Sequence, residues 1–338
     1  MVAVSKAEAI LNRDIWKMMS KIKDIILDND GMIFGGFVRD SILHDHFAQE
    51  FYRLAEEAEE EDHGNVCFGD YCEPCVLPET WERTTVPSDI DFYIPEQKLE
   101  EFKKSLVENR FRINSKFVRD PRTYFQNFDN KKDNTMRHHR LYISPDLKSV
   151  KEELANLFID VSAIKQMLGN MRLPFIKLDI ITSSKNITEP FFSPVDFECN
   201  ALYLTKHGIS MAESLSGFDI VEKTRKIINI CDDITKKQTK LVNAQGFRTR
   251  KLVEKGWTIY DNNITTIMDD SYEGYCIICH DSVEELHIKS QCCDCRFHPN
   301  CLAKSIIYGN MKNCVMCKQN CNLSSKHLDM LHDFPESI

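Results

Sequence analysis

The chain has 338 residues, of which 42% are hydrophobic and 28% are charged, a length that favours two domains, or three if one is small. This composition is that of a globular protein and excludes a largely disordered chain, a collagen and a coiled-coil rod. The net charge of −9 argues against a protein that coats nucleic acid over its whole surface. The sequence shows neither a run of 18 apolar residues nor a signal peptide, so we expect an intracellular protein, cytoplasmic or nuclear.

Local sequence patterns divide the first 205 residues into helices and strands. Apolar residues at helical spacing predict a first helix over residues 7–27, and Asn29-Asp-Gly31 ends it. Residues 46–86 are acidic, contain cysteines and lack periodicity, which is typical of an insertion. The other elements predicted in this part are a strand at 32–34, a helix from Val38, a strand at 90–94, a helix at 99–109, strands and loops at 110–150, helix or mixed structure at 150–169, a strand at 175–182 and the start of a helix at 197–204.

The rest of the chain divides into a basic helical part and a cysteine-rich end. Residues 206–262 form the predicted helical subdomain, and residues 258–274 have the composition of a linker. A cysteine cluster over residues 275–321 and a polar tail over residues 322–338 follow. We therefore expect an α+β fold, with a mixed sheet and helices over residues 1–205, then the helical subdomain and a small zinc domain.

Three short stretches carry glycines and carboxylates in an order that predicts metal chemistry. Asp89 and Asp91 lie two residues apart in a predicted strand, so both side chains leave the same face. Asp179 lies centrally in another apolar strand, where an unpaired carboxylate would be costly. If the strands are neighbours, the carboxylates converge and favour two Mg²⁺ ions and substrate phosphates. Gly35 and Gly36 precede a helix and would let backbone amides approach a triphosphate, although each stretch alone is also typical of a turn or a surface pair.

These motifs resemble the polymerase-β-type nucleotidyltransferase superfamily, in the branch of tRNA CCA-adding enzymes and bacterial poly(A) polymerases. The stretches that carry the resemblance are Gly35-Gly-Phe-Val-Arg-Asp40, Asp89-Ile-Asp91, Val195-Asp-Phe-Glu-Cys-Asn-Ala-Leu-Tyr203, and Gly217-Phe-Asp-Ile220 with Lys223-Thr-Arg225. The resemblance covers residues 1–257 loosely and implies a nucleotidyltransferase palm-like sheet followed by a helical subdomain.

The resemblance implies that the chain would be a metal-dependent nucleotidyltransferase that acts on the end of an RNA or another nucleic acid. Asp89 and Asp91 would hold the two Mg²⁺ ions, with Asp179 as a third catalytic carboxylate. A nucleoside triphosphate is the implied substrate. The implied nucleotide-binding residues are Gly35, Gly36 and Arg39, facing the triphosphate, and Asn200, near the sugar or the phosphates.

Two departures from that family bear on the substrate. A gap of 52 residues separates Gly36 from Asp89, whereas the family's gap is short. The family's Glu-Asp-x-x-Arg nucleotide-selecting motif is not evident, and the basic stretch Arg248-Thr-Arg-Lys-Leu252 stands about where it would be. The sequence therefore does not specify which nucleotide is added. A generic terminal transferase, an RNA modifier and a decayed relative all stay open.

Residues 103–140 form a local basic stretch, with eleven Lys or Arg against four Asp or Glu. Arginine and lysine would contact RNA phosphates there, and interleaved aromatic rings could stack on bases. The alternative is a solvated loop whose aromatic residues serve the core. The aromatic residues of this stretch are Phe111, Phe117, Tyr124, Phe125 and Phe128.

The strongest pattern in the chain is a set of eight metal ligands near its end. Four pairs of soft ligands at this spacing predict two tetrahedral Zn²⁺ sites, and zinc would supply much of the folding free energy of so short a segment. The spacing is Cys276-x₂-Cys279, thirteen residues, Cys293-x-Cys295-x₂-His298-x₂-Cys301, twelve residues, and Cys314-x₂-Cys317.

This segment closely resembles a RING finger over residues 275–318. The resemblance implies that the pairs alternate, so that Cys276, Cys279, His298 and Cys301 share one zinc, and Cys293, Cys295, Cys314 and Cys317 share the other. Cys292 could substitute for Cys293, and Cys321 is expected to be a bystander.

A RING finger implies a ubiquitin-conjugating enzyme as partner. The contact surface would include an apolar residue between the first two ligands, which is Ile277 or Ile278, and we predict Ile278. It would also include Ile306 and Ile307 in the following helix. Lys318 stands where arginine is preferred, and Val315 replaces the usual proline. A RING-type ubiquitin ligase whose nucleotidyltransferase-like domain only binds RNA or protein is therefore the main alternative function, and a structural adaptor is the next. Together the two resemblances would fit a large DNA virus acting in a host cell.

A weaker ligand cluster lies in the insertion. His63, Cys67, Cys72 and Cys75 could hold a third Zn²⁺, and free surface cysteines are the alternative. Four further histidines have no evident partner in the sequence, and we expect them at the surface or in the basic stretch: His44, His46, His138 and His139.

Overall fold

The structure is a computed structural model. The residues that this structure describes are 6–46, 87, 89–119, 135–145, 176–190, 195–215, 219–243, 246–261, 264–268, 274–283, 286–309 and 313–319. The chain divides into two compact units. The first unit is Met1–Ser193 with Leu202–Glu213, and the second unit is Pro194–Ala201 with Ser214–Ile338.

The first unit is organised by a mixed seven-stranded sheet in the order β3-β4-β5-β2-β1-β6-β7. Its central strands β2 and β5 are parallel, and the other neighbouring pairs are antiparallel. The expected α+β class is thereby confirmed. The strands are β1 (Met32–Phe34), β2 (Asp89–Pro95), β3 (Phe111–Arg119), β4 (Met136–Pro145), β5 (Ile176–Ser183), β6 (Leu202–Thr205) and β7 (Gly208–Met211).

Helices α1 (Lys6–Asp28), α2 (residues 36–46) and α3 (Leu99–Glu108) belong to the first unit. The end of α1 follows from its sequence. Asn29 donates a side-chain hydrogen bond to the carbonyl of Ile25 at 2.8 Å, and Asp30 takes a left-handed conformation with φ of 57°. A Cβ atom on Gly31 would lie 2.7 Å from the carbonyl oxygen of Ile26, so only glycine fits this turn.

The two faces of β2 carry different side chains. Ile90, Phe92 and Ile94 point to one face and are fully buried, and Phe92 meets Phe102 of α3 edge to face at 5.3 Å. Alternation therefore directs Asp89 and Asp91 to the other face. On that face lies an apolar cluster of Met32, Phe34, Tyr93, Met136, Ile181 and Tyr203.

The second unit contains a five-stranded sheet in the order β12-β11-β10-β9-β8. Its strands are β8 (Gln238–Lys240), β9 (Thr258–Tyr260), β10 (Ile264–Met268), β11 (Leu286–Ser290) and β12 (Arg296–Phe297). Its helices are α4 (Ile220–Thr235), α5 (Gly246–Val253) and α6 (Pro299–Gly309). Among the described residues of both units, we find no helix with the length and apolar character needed to cross a membrane.

The expected linker over residues 258–274 is wrong where the structure describes it. Residues 258–260 and 264–268 are strands β9 and β10, and β10 pairs with all five residues of β11. Thr266 is fully buried, and its hydroxyl accepts a hydrogen bond from the amide of Ile259 at 2.9 Å. A polar sequence therefore serves as a strand because its threonines satisfy backbone groups within the sheet.

Candidate functional site

The register between β2 and β5 brings the three predicted carboxylates together. Asp91 pairs with Asp179, and Asp89 pairs with Lys177. Carboxylate oxygens of Asp89, Asp91 and Asp179 all lie within 4.8 Å of one another. Because like charges this close repel, the arrangement requires cations, from the protein or from bound metal. We call these three residues the carboxylate cluster.

Asp179 is the buried member of the carboxylate cluster, at 2% exposure. Arg140, directly opposite it on β4, donates two hydrogen bonds to its two oxygens at 2.6 and 2.9 Å. His138 Nε2 lies 2.8 Å from Oδ1. Burial raises the pKa of Asp179, but the hydrogen bonds from His138 and Arg140 and the charge of Lys177 outweigh it and hold that pKa well below its usual range. The carboxyl group is therefore ionised at neutral pH.

Lys177 lies between two members of the carboxylate cluster. Its Nζ atom is 2.5 Å from Asp89 Oδ2 and 3.3 Å from Asp179 Oδ2. Partial burial lowers the pKa of Lys177, and the two carboxylates more than offset that effect, so the pKa is raised and the ammonium stays charged. Sequence analysis missed Lys177, although its position two residues before Asp179 in a strand places both side chains on one face.

The histidine prediction needs correction at two positions. His138 is 1% exposed and contacts Asp179, and His44 is 5% exposed and stacks on Trp16 with ring centroids 4.1 Å apart. Neither side chain is a surface group. His138 shares the strand parity of Arg140, a signal that could have placed both on the face of the carboxylate cluster.

The predicted glycine turn lies beside the carboxylate cluster. Gly35 has φ of 73°, and a Cβ atom there would lie 3.5 Å from Asp91 Oδ2. Helix α2 starts at Gly36, so its first backbone amides adjoin this turn. Arg39 is buried, donates to Asp40 Oδ1 at 2.7 Å, and has a guanidinium nitrogen 3.5 Å from the Cβ position of Gly36.

Asn200 lies in the second unit, where it belongs to a network around Asp196. Its side-chain amide donates to Asp196 Oδ1 at 3.0 Å, and Arg248 of the basic stretch on α5 donates to Asp196 Oδ2 at 2.7 Å. The backbone amides of Val242 and Asn243 also donate to the Asp196 carbonyl. In this structure Asn200 and Arg248 therefore have structural partners, and the nucleotide contact of Asn200 stays a prediction.

Four basic side chains of the described part of residues 103–140 contact acids: Lys103, Lys104, Arg137 and Arg140. Lys103 Nζ lies 2.5 Å from Glu100, and Arg137 lies 3.7 Å from Glu96. Phe111 is buried in the core. The residues predicted to stack on RNA that lie outside the described side chains are Phe117, Tyr124, Phe125 and Phe128. RNA binding by this stretch stays a prediction.

The four side chains predicted to form the first zinc site lie close together. One ligand atom from each of Cys276, Cys279, His298 and Cys301 lies within 4.8 Å of the others. Cys279 Sγ and Cys301 Sγ are 3.3 and 3.8 Å from His298 Nδ1. A tetrahedral zinc separates such atoms by roughly 3.5–3.8 Å. His298 Nε2 lies 2.8 Å from the Ser282 carbonyl, a hydrogen bond that orients Nδ1 towards the metal position.

The second thiol set contains one unexpected member. Sulfur atoms of Cys292, Cys293, Cys314 and Cys317 lie within 4.8 Å of one another, so Cys292 stands where the sequence analysis placed Cys295. Cys295 Sγ still lies 3.1 Å from Cys293 Sγ. Burial raises the pKa of Cys314, but hydrogen bonds from the Cys317 and Met316 backbone and nearby thiols lower it to about 6, which favours the thiolate that binds zinc.

Ligand pairs along the chain alternate between the two sets, as a cross-braced module requires. The structure therefore holds clusters that could bind zinc, and a carboxylate cluster that could bind magnesium. The remaining candidates lie outside the described residues. They are His63, Cys67, Cys72 and Cys75 of the insertion, of which only residue 46 is described, and Cys321.

Comparison with known proteins identifies no relative. No family model matches the chain, and no curated protein or solved structure matches it either.

Proposed function

We propose that the chain is a metal-dependent nucleotidyltransferase that acts on the end of an RNA or another nucleic acid and also carries a RING-type zinc module. The observation that supports this most is the carboxylate cluster on adjacent parallel strands, beside the turn at Gly35 and the start of α2. Carboxylate oxygens are the ligands that magnesium prefers, and the amino terminus of a helix favours phosphate.

The reaction that fits is attack of an acceptor hydroxyl on the α-phosphorus of a nucleoside triphosphate. A bond forms between the hydroxyl oxygen and phosphorus, the α–β phosphoanhydride bond breaks, pyrophosphate leaves, and the hydroxyl proton passes to solvent. Magnesium held by Asp89, Asp91 and Asp179 would lower the pKa of the hydroxyl and balance the charge of pyrophosphate. Gly35 keeps the approach to Asp91 open, since it has no side chain.

Replacing Asp89 or Asp91 with asparagine is expected to reduce nucleotide incorporation at least about 100-fold, because a neutral amide supports the metal and the developing charge poorly. The measurement uses zinc-loaded protein, Mg²⁺, each labelled nucleoside triphosphate in turn and a mixed small-RNA pool. Asp24→Asn is the matched control, since Asp24 is an exposed acid on α1. Label transfer that survives Asp89→Asn, or no label with any nucleotide in the parent protein, would contradict the proposal.

A second candidate function is ubiquitin ligation by the RING-type module. The observation that favours it is a group of accessible apolar side chains beside the two thiol sets. Ile307 is 42% and Met316 is 57% exposed, and Ile278 is partly exposed. The accessible apolar residues next to the thiol ligands or on α6 include Ile277, Ile278, Ile306, Ile307, Tyr308, Val315 and Met316. An accessible apolar surface of this kind is typical of a protein-binding site.

For the ligase function, Ile278→Ala should slow discharge of a ubiquitin-loaded conjugating enzyme roughly 30-fold, as expected for truncation of a central interface residue. Zinc content should not change, because Ile278 supplies no ligand. Ile228→Ala is the matched control, since Ile228 is an exposed isoleucine of α4 in the same unit. Equal discharge rates for the parent protein and Ile278→Ala would remove Ile278 from the contact surface.

A further inference from the structure

Four side chains form a square on the site face of β2 and β5. Asp89 lies opposite Lys177, and Asp91 lies opposite Asp179. The Lys177 ammonium contacts Asp89 at 2.5 Å and Asp179 at 3.3 Å. It therefore lies among the oxygens that a divalent cation would use. Lysine and metal thus have overlapping positions.

Asp179 has no acceptor capacity left for a metal while Lys177 stays in place. A carboxylate has about four lone-pair positions. Oδ1 is engaged by His138 and by Arg140 Nε, and Oδ2 is engaged by Arg140 Nη2 and Lys177. Binding a metal ion through Asp179 thus requires one donor to leave.

Lys177 is the donor that can leave most easily. Its contact with Asp179 is the longest of the four, and its side chain is 29% exposed. Arg140 holds Asp179 through two hydrogen bonds, and His138 is 1% exposed. A flexible lysine can move towards another anion without opening the core, whereas a bidentate arginine loses two bonds at once.

The charges of these side chains support the same conclusion. Lys177 places one positive charge in direct contact with Asp89 and Asp179. Withdrawal of Lys177 removes that charge from the carboxylate oxygens and makes the site more negative, which favours a divalent cation. A triphosphate offers Lys177 a new partner and brings further negative charge.

We infer that Lys177 is a built-in competitor of the divalent metal, so that the metal binds the carboxylate cluster strongly only when a nucleoside triphosphate draws the lysine away. This inference rests on the proposed function, because it concerns the same metal site. It makes Lys177 a positioning residue that couples metal binding to the arrival of substrate. Free metal and free nucleotide would each bind weakly, and the pair would bind together.

The test measures Mn²⁺ binding in the absence of nucleotide. The concentration of free Mn²⁺ is monitored by its electron paramagnetic resonance signal. Lys177→Met and Lys177→Gln should each bind Mn²⁺ at least about tenfold more tightly than the parent protein, because a positive charge has left the site. A non-hydrolysable triphosphate should tighten Mn²⁺ binding more in the parent protein than in either variant. Lys23→Met is the matched control, because Lys23 is 30% exposed and pairs with an aspartate on α1. Two neutral variants guard against failure of one to fold.

The possible outcomes distinguish failure of the inference from failure of the proposed function. Equal Mn²⁺ affinity in parent and variants overturns the inference, and the proposed function stands if RNA is still labelled. A gain in affinity that survives addition of Asp89→Asn also overturns it, because the metal then binds elsewhere. Tighter binding by the variants, without RNA labelling by the parent, supports the inference and contradicts the transferase. Absence of Mn²⁺ binding in the parent protein and in every variant overturns the inference and shows that the carboxylate cluster is not a metal site.

Discussion

Removal of zinc by a chelator is expected to unfold the carboxyl-terminal module and then expose β11 and β10 to solvent exchange. The eight thiol and imidazole ligands of the two sets lie between residues 276 and 317, and the apolar core between them is small. Structural zinc contributes on the order of 10 kcal/mol to such a module. Because β10 pairs with β11 over five residues, the loss should extend into the sheet of the second unit. The measurement is amide hydrogen exchange by mass spectrometry, with and without chelator.

Strands β2 and β5 provide an internal control, since they belong to the first unit and contain no thiol ligand. A matched pair of variants separates metal binding from cysteine loss in general. Cys276→Ser should lose about one zinc per chain, whereas Cys231→Ser, which removes a partly buried cysteine of α4 outside both sets, should retain both. Unchanged exchange of β11 and β10 after complete removal of zinc would contradict a folding role for the metal.

Asp179→Asn is expected to lower the free energy of unfolding by roughly 3 kcal/mol, because it leaves the charges of Arg140 and Lys177 facing a neutral amide. Asp89→Asn should cost less than about 1 kcal/mol, since Asp89 is 34% exposed and pairs with a flexible lysine. Urea unfolding at pH 7 measures the free energy of unfolding of each variant and of the parent protein. A double-mutant cycle with Asp179→Asn and Arg140→Gln would isolate the interaction free energy between Asp179 and Arg140. Equal stability of the two aspartate variants would show that the Arg140 contacts contribute nothing particular.

The pH dependence of that difference has a definite sign. The pKa of Asp179 is held below its usual range in the folded protein, and an unfolded aspartate has a pKa of about 3.9. The stabilisation by the ionised carboxylate is therefore fully present above about pH 5 and is lost as pH falls below about 4. Urea unfolding of the parent protein and Asp179→Asn at several pH values should show curves that converge only in acid. A difference that stays constant down to pH 2 would exclude the carboxylate charge as its source.

Several features of the fold could be predicted because they depend on residues close in sequence. The end of α1 at Asn29-Asp-Gly31 follows from turn chemistry, the orientation of Asp89 and Asp91 in β2 follows from alternation, and the nearly complete burial of β5 follows from its apolar run. Strands β9 and β10 could not be predicted in this way. Their residues 258–268 are polar enough to suggest a linker, and only pairing with β8 and β11 gives them partners for their backbone groups.

The carboxylate cluster, too, could be predicted only in part from the sequence. Two-residue spacing places Asp89 and Asp91 on one face, but nothing local places Asp179 beside them. That position depends on the parallel register of β2 and β5, which pairs Asp91 with Asp179 across 88 residues of chain. The same register brings Lys177 and Arg140 into the site, and they decide which oxygens a metal can reach.

The α+β class and the shared face of Asp89 and Asp91 could be predicted from the sequence, because they follow from periodicity and from two-residue spacing. Spacing also predicted four pairs of soft ligands, and their alternation between two sites came from the resemblance to a RING finger. The tertiary structure was needed to show that Cys292 joins the second thiol set, that His138 is buried against Asp179, and that Lys177 and Arg140 contact the carboxylate cluster. The physical reason is that strand register and side-chain packing join distant segments, and their free energy depends on both partners at once.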